Sequence, residues 1–173
     1  MSKQREFIPL QIAVMTISDT RTEETDKSGA MLRKLLEEAG HYFTEKLIVP
    51  DNIYQIRAEV SRWIASQDVN VVITTGGTGV AGHDGTPEAV HPLLDKVIDG
   101  FGEMFRALSY EDIGTSTLQS RALAGVANAT FIFCLPGSSG ACKDGWTKLI
   151  AKQLDYRTRP CNLVELMPRL LET

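Results

Sequence analysis

The chain of 173 residues has no long apolar run and no excess of basic residues. No stretch of about 18 apolar residues occurs, so no segment has the composition of a membrane-spanning helix. The opening residues Met1–Glu6 lack the apolar core of a secretory signal peptide. Lysine and arginine number 18 against 22 aspartates and glutamates, and the net charge of −4 argues against general binding to nucleic acid or to an anionic membrane.

Cysteine is also scarce, and the three that occur are scattered: Cys134, Cys142 and Cys161. They form no Cys-x-x-Cys pair, a pattern typical of a reduced, cytoplasmic protein in which Cys134 and Cys142 are packing residues. The three histidines lie far apart or on different predicted elements, so their spacing does not indicate a zinc site.

Apolar β-type runs alternate with helical patterns along the chain. The runs predict strands over Leu10–Ile17, Tyr42–Val49, Val69–Thr75 and Ala129–Leu135. Helices are predicted after Ser28, after Asn52, from Pro87, over Glu103–Ser109, Thr117–Val126 and Ala141–Gln153, and in a short terminal piece broken at Pro168. This alternation predicts an α/β fold: a single domain over residues 1–173 with three αβα layers, in which helices cover both faces of a mostly parallel sheet.

A polar or glycine-rich segment follows each predicted strand. These segments are Ser18–Thr20, Pro50–Asn52, Gly76–Gly79 and Pro136–Gly140. Because ligands of parallel sheets bind outside the carboxyl ends of the strands, we expect all four segments to meet at one crevice.

The turn Gly76–Gly79 is the most informative of the four. Three glycines in four residues allow backbone N–H groups to converge on an anion such as a phosphate. We interpret it neither as a P-loop, because no Gly-Lys-Ser/Thr follows, nor as a dinucleotide-binding GxGxxG turn. Thr86 is predicted to cap the following helix, with Pro87 at its first position. The alternative for Gly76–Gly79 is a turn that serves only the fold and binds no anion.

Two carboxylates accompany this turn. Asp51 and Asp84 would hold Mg²⁺ beside bound phosphates, since this ion takes one or two carboxylates plus substrate oxygens and water. The alternatives are a helix N-cap for Asp51 and a turn residue for Asp84. Asp19 and Asp26 are expected to be solvated more often than bound to a ligand.

A second anion-binding turn is possible at Gly137–Gly140, ahead of a helix. Its alternative is an ordinary strand-to-helix turn with Ser139 as the N-cap. Ser116, Thr117 and Ser120 with Arg121 would supply hydroxyls and a guanidinium to a ligand, or else begin a solvated helix.

Together these motifs resemble the signature of the molybdenum-cofactor biosynthesis family that includes MogA, MoaB and the gephyrin G domain. The similar segments are Thr74–Gly79, Asp84, Thr86–Ala89, Gly100–Arg106, Ser120–Ala122 and Leu135–Ser138. The resemblance covers roughly residues 8–165. Two further segments, Gly114–Arg121 and Asp155–Asn162, are most similar to the MoaB branch.

The resemblance implies a cytoplasmic protein that binds molybdopterin or a related pterin and adenylylates it with ATP and Mg²⁺, releasing pyrophosphate. Asp51 and Asp84 match the family's catalytic carboxylates, which would also hold the Mg²⁺. The residues matched to substrate binding are Ser18, Thr75, Gly76, Gly77, Thr78, Gly79, Ser120, Pro136, Gly137, Ser138 and Ser139.

The resemblance leaves other functions open. A non-catalytic pterin-binding or carrier subunit is one alternative, and a nucleotide-binding regulator is another. The chain departs from many adenylyltransferase members in having His83 and Gly85 around the second aspartate. The apolar segment Phe101–Leu108 is either core or subunit contact, and the family implies a homotrimer or homohexamer.

Overall fold

The computed structural model of the protein describes residues 4–173. Its centre is a six-stranded mixed sheet with the strand order β2-β1-β3-β6-β5-β4. The strands are β1 (Gln11–Ile17), β2 (Tyr42–Val49), β3 (Val71–Thr75), β4 (Lys96–Val97), β5 (Leu123–Ala127) and β6 (Thr130–Leu135).

Helices connect most of the strands. They are α1 (Lys27–Glu38), α2 (Ile53–Ala65), α3 (Thr86–Val90), α4 (Asp99–Ile113), α5 (Ser139–Asp144) and α6 (Ala151–Gln153). A π-helical segment, Gly145–Ile150, joins α5 to α6, and 3-10 turns occupy His91–Leu93, Gly114–Gln119 and Val164–Arg169. Among residues 4–173, no helix has both the length and the apolar character needed to cross a membrane.

The sheet has a buried cluster of side chains on each face. Alternate residues of β1 point to opposite faces, so Ile12 and Val14 join a cluster with Phe105, while Met15 joins another with Trp63. Helices α1, α4 and α5 cover the first face, and α2 and α3 cover the second. The predicted three-layer α/β fold is therefore confirmed.

The direction of the strands positions the loops. Strands β2, β1, β3 and β6 are parallel, so their carboxyl ends lie at one edge of the sheet. Strand β5 is antiparallel to β6, and its first residue, Leu123, pairs with Cys134 near the end of β6. The segment that precedes β5 is thereby brought to the same edge.

The helix predicted over Thr117–Val126 is wrong. Leu123–Ala127 is strand β5, which turns into β6 through Asn128 and Ala129, both at positive φ (45° and 62°). Two such residues match a two-residue hairpin turn, but alanine is not a residue that this turn favours, so the sequence carried no clear turn signal. Pairing with β6 outweighs the local helix propensity of this segment.

Other boundaries differ less. The two-residue edge strand β4 was not predicted, because so short a segment has no periodic signal. Helix α4 is longer than the predicted Glu103–Ser109 and includes Phe101, which is buried. The predicted terminal helix is a six-residue 3-10 segment, Val164–Arg169, that contains Pro168.

A buried histidine makes the stability of the fold sensitive to pH. His41 lies between the rings of Phe7 and Trp146, and its Nδ1 accepts a hydrogen bond from the N–H of Leu10 at 3.1 Å. Burial lowers the pKa of His41 to about 4, against the opposing charge of Asp155. Protonation of Nδ1 would break the bond to Leu10.

We therefore expect the His41 site to destabilise the protein in acid. In the unfolded chain histidine binds a proton near pH 6.5, well above the native value, so stability present above pH 6.5 is lost as the pH falls towards 4. The loss is at most about 3 kcal/mol. Urea unfolding at pH 7.5 and 5 should show a smaller change for His41→Asn, which keeps an acceptor but does not titrate. An equal change in both proteins would contradict this.

Candidate functional site

A cavity of about 630 Å³ opens at the carboxyl edge of the parallel strands. It is lined by the segments that follow β1, β2, β3 and β6, with one wall from α4 and the segment before β5. The predicted site residues that line it are Ser18, Asp51, Thr75, Gly76, Gly77, Thr78, Gly79, Asp84, Ser120, Pro136, Gly137 and Ser138. The expected convergence of distant loops on one crevice is thus observed, although Ser139 is not among the lining residues.

The turn after β3 requires glycine. Gly76 and Gly77 have φ angles of +102° and +69°, which side chains rarely adopt. A Cβ atom on Gly76 would lie 2.3 Å from the carbonyl oxygen of Ile17. The backbone of this turn therefore packs directly against the end of β1.

Among the described residues, the hydrogen bonds of this turn leave three of its four N–H groups free, since only that of Gly76 donates to a carbonyl, that of Leu135. Thr86 donates from its hydroxyl and its N–H to the first two carbonyls of Gly76–Gly79, and Arg121 donates to the last two. Within residues 4–173, the N–H groups of Gly77–Gly79 have no protein acceptor. The turn, which lines the cavity, therefore keeps three N–H donors that are unpaired within the described part of the chain, as an anion-binding turn must.

The structure differs from two of the sequence-based predictions for this turn. Gly85, and not Thr86, is the N-cap of α3, because the Thr86 hydroxyl is bonded to Gly76. Gly77, Gly79 and Gly82 do have the GxGxxG spacing. The turn still differs from the dinucleotide fingerprint, because the next helix begins only at Thr86 and has five residues.

Asp51 faces the cavity because its neighbour caps the helix. The Asn52 side chain accepts from the N–H groups at the start of α2, so the helix-cap alternative for Asp51 is wrong. The Asp51 carboxylate instead accepts from the N–H of Gly85 at 3.2 Å, and its own N–H donates to Asp19 at 2.9 Å. Burial, followed by the charges of Asp84 and Asp19, raises the pKa of Asp51, against the lowering effects of Gly85 and His83.

Asp84 lies beside Asp51 in a group that could hold a cation. Ligand atoms of Asp51, His83 and Asp84 lie within 4.8 Å of one another. Asp84 Oδ2 accepts from the N–H of Ala81 at 2.9 Å, which is the contact expected of a turn residue. Asp84 therefore combines a local turn contact with a position in the cavity.

Asp26 is not solvated, contrary to expectation. Its carboxylate is the N-cap of α1 and contacts Lys46 Nζ at 2.9 Å, with both side chains nearly buried. Burial acts to raise the pKa of Asp26, but the bonds from Gly29, Lys46 and Thr16 lower it overall. Asp26 lines the cavity floor as one half of a buried ion pair.

The loop after β6 is fastened to its neighbours. Thr75 donates its hydroxyl to the carbonyl of Pro136 at 2.9 Å, and Ser28 donates to that of Gly137 at 2.7 Å. Ser138, and not Ser139, caps α5. The Thr75 hydroxyl is thus committed to holding two walls of the cavity together.

In the segment before β5, Ser120 is available to a ligand and Arg121 is not. Ser120 Oγ is buried and has no hydrogen-bond partner among the described residues, although Ser120 lines the cavity. Arg121 was considered a ligand for phosphate, but its guanidinium bonds the carbonyls of Gly79 and Asp84 and pairs with Glu88. An unpartnered hydroxyl is suited to a ligand, whereas this arginine is a structural residue.

Several lining residues were not identified from the sequence. They are Arg21 from the loop after β1, Phe105, Ser109 and Ile113 from one face of α4, and Gln119. The spacing of four residues in α4 was a visible signal, but nothing in it distinguished a cavity wall from packing.

The donor set fits Mg²⁺, the ion that the resemblance implies. Asp51 and Asp84 offer the carboxylate oxygens that this ion prefers. The unpartnered Ser120 Oγ and the free N–H groups of Gly77–Gly79 leave polar positions for a ligand beside them. Together the fold and the cavity define a protein of the doubly wound α/β class with a polar crevice at the carboxyl edge of its sheet.

Comparisons with known proteins give the family. Residues 13–156 match the family described as a probable molybdopterin binding domain. The chain is 60% identical over 157 residues to molybdenum cofactor biosynthesis protein B of Escherichia coli strain K12, covering 91% of this chain and 92% of that protein. The chain therefore belongs to the molybdenum-cofactor biosynthesis family, as the sequence motifs indicated.

Solved structures of similar proteins support the same family assignment. A crystal structure of molybdenum cofactor biosynthesis protein B matches with a TM-score of 0.84 at 49% identity, covering 87% of this chain and 94% of that one. The tungsten cofactor synthesizing protein MoaB of Pyrococcus furiosus matches with a TM-score of 0.75 at 36% identity, covering 83% and 92%. The fold is that of MoaB and MogA structures.

Proposed function

We propose that this protein transfers the adenylyl group of ATP to molybdopterin or a closely related pterin, with Mg²⁺, and releases pyrophosphate. The observation that carries the proposal is that carboxylates able to hold a cation and N–H groups able to bind an anion line the same cavity. Asp51 and Asp84 lie directly against the turn whose N–H groups are free, since Cβ atoms on Gly77 and Gly79 would meet their carboxylates at 3.1 and 2.5 Å. Cation ligands and anion donors thus line the same space.

The main barrier to this reaction is the repulsion between two anions and not the activation of the nucleophile. A phosphate oxygen of the pterin attacks the α-phosphorus of ATP, a new P–O–P bond forms, and the bond to pyrophosphate breaks. The attacking group is already an anion, so no strong general base is required. Two anions must approach, and preorganised donors reduce that cost.

This chain's residues divide that work. The N–H groups of Gly77–Gly79 hold phosphate oxygens, and the fastened loop at Pro136–Ser138 forms the facing wall. Asp51 and Asp84 would hold Mg²⁺, which neutralises phosphate charge when bound. Ser120 Oγ supplies a further hydrogen bond to the ligand, for which it has no competing partner in residues 4–173.

One observation favours a second function, a pterin-binding or carrier subunit without catalysis. Arg121, which donates to the backbone carbonyl of Asp84, is tied to Glu88 and to backbone carbonyls. It is therefore not free to stabilise charge that develops during transfer. Arg21 is the one lysine or arginine among the lining residues.

The deciding experiment combines purified protein with molybdopterin, ATP and Mg²⁺. Adenylylation requires equal amounts of pyrophosphate and adenylylated pterin, and no product without Mg²⁺. Pterin binding without pyrophosphate release would support the carrier function instead. A cytoplasmic location, where ATP is available, is part of this proposal.

We also propose that the protein is a homotrimer or homohexamer. The segment Phe101–Leu108 has both core and surface side chains. Phe101 and Phe105 are buried in the core, whereas Met104 is 57% exposed. Leu118 is 79% exposed and Ile113 52%. Assembly would cover such side chains. Light scattering should give three or six times the chain mass of 19.0 kDa, and a monomer mass at micromolar concentration would contradict this.

A further inference from the structure

A histidine stands at the open side of the two carboxylates. The His83 side chain is 68% exposed, and its Nε2 lies 4.0 Å from Asp84 Oδ1. Within residues 4–173 it makes no hydrogen bond, and with Asp51 it completes the set of ligand atoms within 4.8 Å. The two carboxylates alone explain a magnesium site, so His83 needs a separate account.

We propose that His83 is a third protein ligand of this metal site and makes it select a first-row transition ion, such as Mn²⁺ or Co²⁺, over Mg²⁺. The inference deepens the proposed function and rests on it for the role of the metal. Metal binding itself requires neither ATP nor pterin.

The chemistry of the donor set supports this choice. Mg²⁺ binds oxygen ligands and retains several waters, so an imidazole adds little to its affinity. Imidazole nitrogen is a good ligand for the transition ions, whose affinity for such sites rises from Mn²⁺ through Co²⁺. Two carboxylates with one imidazole therefore bind these ions better than two carboxylates alone.

The geometry permits coordination after a small movement. Ligand atoms around one ion at about 2.1 Å lie at most about 4.2 Å apart, so the observed set must contract slightly. Both carboxylates are held in place by backbone N–H groups, Asp51 by that of Gly85 and Asp84 by that of Ala81. His83 is the exposed member, and the preceding Gly82 has open space around it. The histidine can therefore close on an ion that the aspartates already hold.

Other features of the cavity support a ligand beside this group. The buried, unpartnered Ser120 Oγ and the free N–H groups of Gly77–Gly79 belong to the same cavity. They offer donors for anionic ligands that would complete the coordination of a metal ion. The cluster thus lies where a metal would contact both protein and substrate.

The test measures metal binding to the metal-free protein without nucleotide or pterin. We expect His83→Ala to weaken the binding of Mn²⁺, measured by calorimetry, and of Co²⁺, measured by its visible absorption, by about tenfold or more. Binding of Mg²⁺ should change by less than about twofold. His91→Ala is the matched control, because His91 is also exposed but is not part of the cluster.

Two outcomes would overturn the inference. The first is unchanged Mn²⁺ and Co²⁺ binding in His83→Ala. The second is an equal loss for Mg²⁺, which would mean that His83 acts by supporting the carboxylates. Thermal unfolding checks that both variants are folded. Binding that depends on His83 without adenylyl transfer would overturn the proposed function alone, whereas transfer with Mg²⁺ and no effect of His83 would overturn this inference alone.

Discussion

Replacing Asp84 with asparagine is expected to slow the proposed adenylyl transfer by about a hundredfold or more, a loss comparable to removing one preorganised electrostatic group. The asparagine keeps an oxygen that can accept from the N–H of Ala81, so the turn should remain intact. What disappears is the negative charge beside Asp51 that, in the proposed reaction, would help to hold a cation between two anions. Pterin binding through the backbone donors of Gly77–Gly79 should survive. Turnover and pterin affinity should be measured on the same preparation.

The control for this variant is Asp68→Asn, the same chemical change at an exposed carboxylate outside the cavity. It should leave the rate and the melting temperature near the parent values. If Asp84→Asn turns over at the parent rate, Asp84 has no part in the mechanism. If it loses activity together with an equal loss of melting temperature, Asp84 is a structural turn residue.

Replacing Asp26 with alanine is expected to destabilise the protein by about 3–5 kcal/mol, the cost of removing one partner from a buried ion pair. The Asp26 side chain is 1% exposed and that of Lys46 is 9% exposed. Removal leaves the ammonium group short of a buried partner and takes the cap from α1. Urea unfolding at neutral pH measures the loss.

Glu23→Ala is the matched control, since Glu23 also contacts Lys46, at 2.8 Å, but is 72% exposed. Exposed pairs contribute little, so its effect should be about 1 kcal/mol or less. Equal effects of the two substitutions would show that burial does not distinguish these contacts. A small effect of both would mean that water reaches Lys46 freely in solution.

The sequence predicted the layers because burial has a local signature. An apolar run such as Val71–Thr75 is buried on both faces of a parallel sheet, and the stripe in α1 marks its inward side. Strand direction followed from the alternation with helices. The meeting of Asp51 with Gly76–Gly79 then followed from topology, because parallel strands end at one edge.

The sequence failed where a distant partner decides. Leu123–Ala127 has helix-forming residues, and only pairing with β6 makes it a strand and brings Ser120 to the cavity. By sequence alone, Asp26 is a polar loop residue and Arg121 a polar residue of a predicted helix. In the structure, Asp26 forms a buried ion pair with Lys46. The guanidinium of Arg121 binds Glu88 and two backbone carbonyls.

The sequence by itself thus determined the α/β architecture, the edge of the sheet at which the cavity opens and the carboxylates and glycines that meet there. Each is encoded in local periodicity or in the residues that directly follow a strand. The tertiary structure alone decided the charge partners of Asp26 and Arg121, the entry of β5 into the site and the approach of His83 to Asp51. Those contacts join segments far apart in the chain, so no local pattern carries them.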